Sequence, residues 1–116
     1  MEAAEQWQID AALAALSADG RSITRSLQAR IAKIGELRTH FEARTPAPRG
    51  DLIFTHEETE VARIQLKPGG LPKLVFPNEN GKELNGLSQT ALAAERIAKR
   101  TQELVDAAPQ LGLFGR

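Results

Sequence analysis

The sequence contains no cysteine and no tyrosine, and its aromatic residues are four phenylalanines and one tryptophan. Without cysteine there is no disulfide framework, thiolate metal site or cysteine nucleophile. No apolar run approaches the roughly 18 residues needed to span a bilayer, and the acidic N-terminus lacks the apolar core of a secretory signal. We therefore expect a cytoplasmic protein with no membrane partner.

Charge of one sign is not in excess either, because 15 Lys and Arg residues balance 15 Asp and Glu residues. A neutral chain has no strong overall attraction to nucleic acid or anionic lipid, although a local patch can still bind. The 116 residues, 41% of them hydrophobic, suit one globular domain. Alanine and leucine fill most of the apolar positions, which favours helices.

The longest periodic segment begins near Ser22 and runs to about Arg44. Its apolar residues recur at spacings of three and four, the spacing of one face of a helix. Gly35 lies inside the segment and is interpreted as a weak or closely packed point rather than an end. The pattern predicts one long helix whose apolar stripe comprises Ile23, Leu27, Ile31, Ile34, Leu37 and Phe41.

Two further helices are predicted, over residues 2–17 and 88–107. The first is expected to stop at residues 18–20, with Gly20 as the C-cap. The second is expected to begin at a Ser88 cap and to end at Pro109, because proline removes a backbone donor and clashes with the preceding turn.

Between the helices lie three short runs rich in β-branched and aromatic residues, at 52–55, 60–66 and 71–76. Such runs predict strands, and the Pro-Gly-Gly turn within 67–70 separates the last two. The sequence therefore predicts an α+β fold that is mainly helical. We expect a helical hairpin or a small bundle of three helices with a small antiparallel sheet of two or three strands.

Few residues suggest catalysis. His40 and His56 are the only histidines, and Glu57 and Glu58 follow His56 directly. Consecutive residues do not converge on one point, and there is no second histidine at metal-ligand spacing. Nucleophile motifs, phosphate-binding loops and zinc motifs are all missing from the sequence. We expect no enzyme activity, no catalytic residue, no metal site and no cofactor.

Residues 17–33 combine a predicted helix end, a glycine turn and an arginine-containing helix start. This arrangement resembles a helix-turn-helix, whose second helix reads the major groove of DNA. The candidate contacts to nucleic acid are Arg21, Arg25, Arg30 and Lys33. A solvated basic helix face explains the same residues without any partner.

The chain ends in PQLGLFGR, with two leucines and a phenylalanine close to the last residue. Within it, Gln110, Leu111, Leu113 and Phe114 match a pattern of glutamine, aliphatic residue, small or polar residue, leucine and phenylalanine. This five-residue peptide resembles the one by which bacterial proteins bind the DNA polymerase sliding clamp. The length and the predicted elements suit a single domain over residues 1–108, and the resemblance implies a linear binding peptide over residues 109–116.

The resemblance implies a non-enzymatic accessory protein of bacterial DNA replication or repair, tethered to the sliding clamp. Two alternatives stay open. One is a small DNA-binding transcriptional or plasmid regulator that uses residues 17–33. The other is a coiled-coil interaction protein, a homo-oligomer in which the stripe over 23–41 forms the seam. For the tail, the competing interpretation is that its apolar residues fold back onto the core.

Overall fold

The structure is a computed structural model that describes residues 3–77, 82–84 and 90–114, with backbone alone for 3–5, 82–84 and 108–114. Over these residues the chain forms two helices, five strands and a third helix. In chain order they are α1 (Ala3–Ala14), α2 (Ala18–Ile31), β1 (Arg38–Arg44), β2 (Arg49–His56), β3 (Thr59–Leu66), β4 (Lys73–Phe76), β5 (Lys82–Leu84) and α3 (Thr90–Phe114).

The five strands form one antiparallel sheet in the order β1-β2-β3-β4-β5, so each strand pairs with the next along the chain. Phe41, Leu52, Ile64 and Leu74 stand opposite one another across four strands. Because side chains alternate along a strand, these residues share one face of the sheet. The expectation of a mainly helical fold with two or three strands is therefore wrong. The fold is α+β with a larger sheet.

Helices α1 and α3 pack against that apolar face, and α2 packs against these two helices. A single cluster of buried residues joins Leu13 of α1, Leu27 of α2 and Ile97 of α3 to Leu52 and Ile64 of the sheet. The described part of the chain is thus a two-layer arrangement around one core. Among the residues described, no helix combines the length and the apolar character needed to cross a membrane.

The predicted long helix over 22–44 is the main error. Helix α2 ends at Ile31, and residues 38–44 form strand β1. The apolar spacing predicts a helix here because Leu37 and Phe41 are four residues apart. This even spacing also places two residues on one face of a strand. Both contact the core as the stripe requires. No continuous seam exists over 23–41, and Leu27 and Ile31 are buried within this chain.

The junction of α1 and α2 also differs from the prediction. Residues 18–20 do not stop a helix but begin α2. The Ser17 hydroxyl accepts a hydrogen bond from the Gly20 backbone N–H at 3.0 Å and caps the helix. The Ser17 N–H in turn donates to the Gly70 carbonyl at 3.1 Å. A Cβ on Gly20 would lie 2.5 Å from that carbonyl oxygen, so glycine permits the close approach.

Helix α3 runs from Thr90 to Phe114, so Pro109 does not end the helix as predicted. Proline removes one backbone hydrogen bond, which bends or weakens a helix without always terminating it. The predicted Ser88 cap lies outside the described residues. Strands β2, β3 and β4 confirm the three predicted strand segments, and Gly69 adopts a φ of 75° in the predicted turn between β3 and β4.

Candidate functional site

The face of the sheet opposite the helices is polar. On β1, β2 and β3 the register aligns Glu42 with Asp51 and Gln65, and His40 with Ile53 and Arg63. This alternation follows from the two-residue period of a strand whose other face is buried. The side chains of this outer face are the ones that could meet a ligand.

Asp51 is the centre of an ion network on this face. Its side chain is 1% exposed, and Oδ2 accepts hydrogen bonds from Arg44 Nη2 and Arg63 Nη1, each at 2.8 Å. The Nε–H of Arg63 also donates a hydrogen bond to Glu60 Oε2 at 2.8 Å. The hydrogen bond to Glu60 is the main reason that the pKa of Arg63 is raised above its ordinary value. The network holds β1, β2 and β3 together and keeps both arginines occupied.

Beside the network lies an open groove of about 1100 Å³. Strand β1, the residues that precede it and the β2–β3 hairpin form its walls. Ile53, only 3% exposed, and the half-buried Leu37 give it apolar surface. Both histidines of the chain, His40 and His56, line this groove. The sequence pattern does not predict that both histidines line one groove, because it places His40 in a helix.

His56 lies in the wall of the groove and is 6% exposed. Its Nδ1 atom lies 3.4 Å from the Glu36 carbonyl oxygen. Its Nε2 atom is buried and has no hydrogen-bond partner among the described residues. The carboxylate oxygen Oε2 of Glu57 lies 3.9 Å from Nε2, which is beyond hydrogen-bond reach. The imidazole therefore has one polar atom left to satisfy.

The tip of the β2–β3 hairpin is conformationally strained. His56 pairs with Thr59, so Glu57 and Glu58 form a two-residue loop, with φ values of 46° and 72°. Both residues are in the left-handed region, where a two-residue hairpin turn favours Asn and Gly. The left-handed conformation costs a residue with a side chain roughly 1–2 kcal/mol. Glu57 and Glu58 thus lie at the rim of the groove in a backbone conformation that glutamate disfavours.

Within residues 3–77, 82–84 and 90–114, no group of three or more His, Asp or Glu side chains is arranged to hold a metal ion. The groove presents exposed carboxylates, among them Glu36, Glu57 and Glu58, beside a small apolar floor.

The four residues predicted to contact nucleic acid lie in α2 or just after its end. Arg21 Nη1 donates to the Leu16 carbonyl at 2.7 Å and so caps the end of α1. Arg21 and Arg25 border a shallow cleft with Asp10. Arg30 lies in the last turn of α2, and Lys33 lies beyond the end of that helix.

The residues of the predicted clamp-binding peptide fall in the last part of α3. The backbone over 110–114 is helical, and their side chains lie outside the described set. Asp106 and Ala107, the last side chains described on this helix, are exposed. These exposed side chains lie three to four residues before Gln110.

Comparison with known proteins supplies no relative. No protein-family model matches the sequence, and searches of curated proteins and of solved structures gave no match either.

Proposed function

We propose that this chain is a non-enzymatic, cytoplasmic accessory protein of bacterial DNA replication or repair that is tethered to the sliding clamp by residues 110–114. The observation that carries the proposal is the match of Gln110, Leu111, Leu113 and Phe114 to the clamp-binding pattern. All four specified positions are satisfied within one five-residue window.

The chemistry of these residues suits a pocket on a partner. Burial of Leu113 and Phe114 in an apolar pocket would contribute roughly 1.5–3 kcal/mol each. The amide of Gln110 can donate and accept hydrogen bonds, which would set the register of the peptide. Leu111 would cover an adjacent apolar surface. A short peptide loses conformational entropy on docking, so micromolar affinity is expected.

The first part of α3 is firmly attached to the body. Ile97 and Thr101 are buried, and the Thr101 hydroxyl donates to the Ile97 carbonyl at 2.7 Å. Leu104 still packs against the core. A helix rises about 1.5 Å per residue, so Phe114 follows Leu104 by about 15 Å along the helix axis. This distance supports a peptide presented on an anchored helix.

Docking would require the end of α3 to change conformation. The resemblance implies a turn-like backbone that places Leu113 and Phe114 in one pocket, whereas residues 110–114 are helical here. Two residues near the end of α3 lower the free-energy cost of unwinding this segment. Within a helix, Pro109 costs about 3 kcal/mol and Gly112 about 1 kcal/mol relative to alanine. Binding would therefore compete with only a weak last turn of helix.

Isothermal titration of the full chain into a purified bacterial sliding clamp tests the proposal. The wild type should bind with a micromolar Kd, and Leu113→Ala/Phe114→Ala should abolish binding. The matched control is Leu92→Ala, which removes a 44% exposed leucine from the same helix and should leave the Kd unchanged. Arg25→Ala should also have no effect on clamp binding.

Two outcomes would contradict the proposal. The first is no binding by the wild type at protein concentrations of about 100 μM, well above the expected Kd. The second is equal binding by the wild type and the Leu113→Ala/Phe114→Ala variant. If the double variant also melts at a lower temperature, the tail belongs to the core and is not a binding peptide.

A further inference from the structure

We propose that two copies of this chain pair along strand β1, so that their two sheets join into one continuous sheet across a symmetric dimer. The free edge of β1 and the order of its charges carry the proposal. It is independent of the C-terminal peptide, because β1 and residues 110–114 belong to different elements of the fold.

The edge of the sheet at β1 is unpaired. Strand β1 is the first in the order β1-β2-β3-β4-β5, and among the described residues no strand pairs with its other side. All of its residues, from Arg38 to Arg44, pair with β2 in an unbroken register. Alternate residues of such a strand direct their backbone N–H and C=O groups away from the neighbouring strand. These groups form a regular ladder that another strand can complete.

The helices leave β1 accessible. Every residue of the strand is exposed except Phe41, which is half-buried. A Cβ on Gly50 would collide with the Phe41 ring, so this ring leans over the backbone of β2 and away from the free edge. The strand at the opposite edge of the sheet, β5, has only three residues and offers a much shorter ladder.

The charges of β1 are complementary to those of a second copy. When β1 pairs antiparallel with its own copy about His40, Arg38 of each chain stands opposite Glu42 of the other. The two-fold axis produces this pair of opposite charges twice, on the outer face of the sheet. On the other face, Thr39 of each chain stands opposite Phe41 of the other and covers the exposed part of its ring.

The neighbouring registers of self-pairing are less favourable. Pairing centred on Phe41 would set Arg38 of one copy against Arg44 of the other. Pairing centred on Glu42 would set two glutamates against each other. Like charges directly opposite one another destabilise a strand pair. The charges of β1 therefore select the register centred on His40.

Sedimentation equilibrium of the full chain tests the proposal. We expect a reversible dimer of twice the 12.6 kDa chain mass, with a Kd on the order of 10–100 μM, as suits a small transient interface. Arg38→Glu should weaken the dimer at least about tenfold, because both cross-strand pairs become repulsive. Arg25→Glu makes the same charge change on an exposed residue of α2 and should leave the Kd unchanged.

A charge swap tests the register. Glu42→Arg alone should also weaken the dimer at least about tenfold, because it sets two positive charges against each other. An equimolar mixture of the Arg38→Glu and Glu42→Arg chains should form a heterodimer, because each glutamate then faces an arginine. Arg38→Glu/Glu42→Arg in one chain should restore the homodimer to within about threefold of wild type. Thermal melting checks that each variant is folded, since Glu42 also lies 3.7 Å from Arg44 and Arg63 within its own chain.

Four results would overturn the proposal. The first is a monomeric wild type at about 500 μM, well above the expected Kd. The second is a dimer that Arg38→Glu leaves unchanged or strengthens, because the register would then differ. The third is no dimer from the charge-swapped mixture or from Arg38→Glu/Glu42→Arg, with every chain folded. The fourth is a dimer that Leu113→Ala/Phe114→Ala abolishes, which would assign the contact to the C-terminal peptide.

Discussion

The two faces of the sheet have the same backbone and opposite chemistry. On the face that meets the helices, Leu52, Ile64 and Leu74 lie side by side and are fully buried. Asp51 precedes Leu52, and Arg63 precedes Ile64. These two charged residues form an ion pair on the other face of the sheet. The first face stabilises the fold through apolar burial, which is non-directional. The second places charged groups in defined geometry beside a groove, which suits recognition.

The comparison shows why a buried charge need not weaken a small protein. Asp51 is as buried as the core residues, yet two guanidinium groups bond to it. Such a pair contributes little net stability, but removal of one partner is costly because the other charge stays behind. The four predictions below test this difference between the faces, from the largest expected effect on stability to the smallest.

Phe54→Ala should lower the free energy of unfolding by about 4 kcal/mol, because it removes a fully buried ring from the core face. Urea unfolding followed by circular dichroism measures the loss. Thr55→Ala, the next residue along the same strand and half-buried, is the control and should cost less than about 1 kcal/mol. Equal losses would mean that the two faces contribute alike.

Asp51→Asn should lower the free energy of unfolding by about 2 kcal/mol. The substitution keeps the shape of the side chain but leaves Arg44 and Arg63 without their shared carboxylate. A cycle with Arg63→Gln should give a coupling energy of at least about 1 kcal/mol. A coupling near zero would show that solvent replaces the network at no cost.

Glu57→Asn/Glu58→Gly should stabilise the protein by about 1–2 kcal/mol, because it relieves two left-handed residues at the hairpin tip. The melting temperature should rise by several degrees. A fall in melting temperature would refute the turn geometry assigned to this hairpin.

His40→Asn should change the free energy of unfolding by less than about 0.5 kcal/mol, as expected for an exposed side chain on the outer face. Chemical denaturation is sufficient to check it. A larger loss would show that His40 contributes to the packing of β1. In that case the outer face would not be reserved for binding.

Local chemistry made part of the fold predictable. The runs at 52–55, 60–66 and 71–76 contain β-branched and aromatic residues, and a Pro-Gly-Gly turn separates the last two, so they were recognised as strands. Strand β1 is not predicted, because the apolar stripe of a helix outweighs a second pattern in the same residues. Arg38, His40, Glu42 and Arg44 alternate with uncharged residues, which is the two-residue period of a strand.

The groove was not predictable from local patterns. His40 and His56 are 16 residues apart and line one groove only because β1 pairs with β2 in a register that sets His40 opposite Ile53. A search for alternating charge over 38–44 would have found the strand, and with it the approximate position of His40. The contact of His56 Nδ1 with the Glu36 carbonyl oxygen at 3.4 Å joins two residues that are 20 positions apart. No sequence motif encodes such a contact.

By itself the sequence determined the helical character of 3–14 and of the segment from Thr90, three of the strands, and the residues of the proposed clamp-binding peptide. These features depend on neighbours along the chain. Only the tertiary structure decided that the second helix ends at Ile31, that Asp51 is buried between two arginines, and that both histidines line one groove. The physical reason is that strand pairing and burial depend on residues far apart in sequence, and these override weak local preferences.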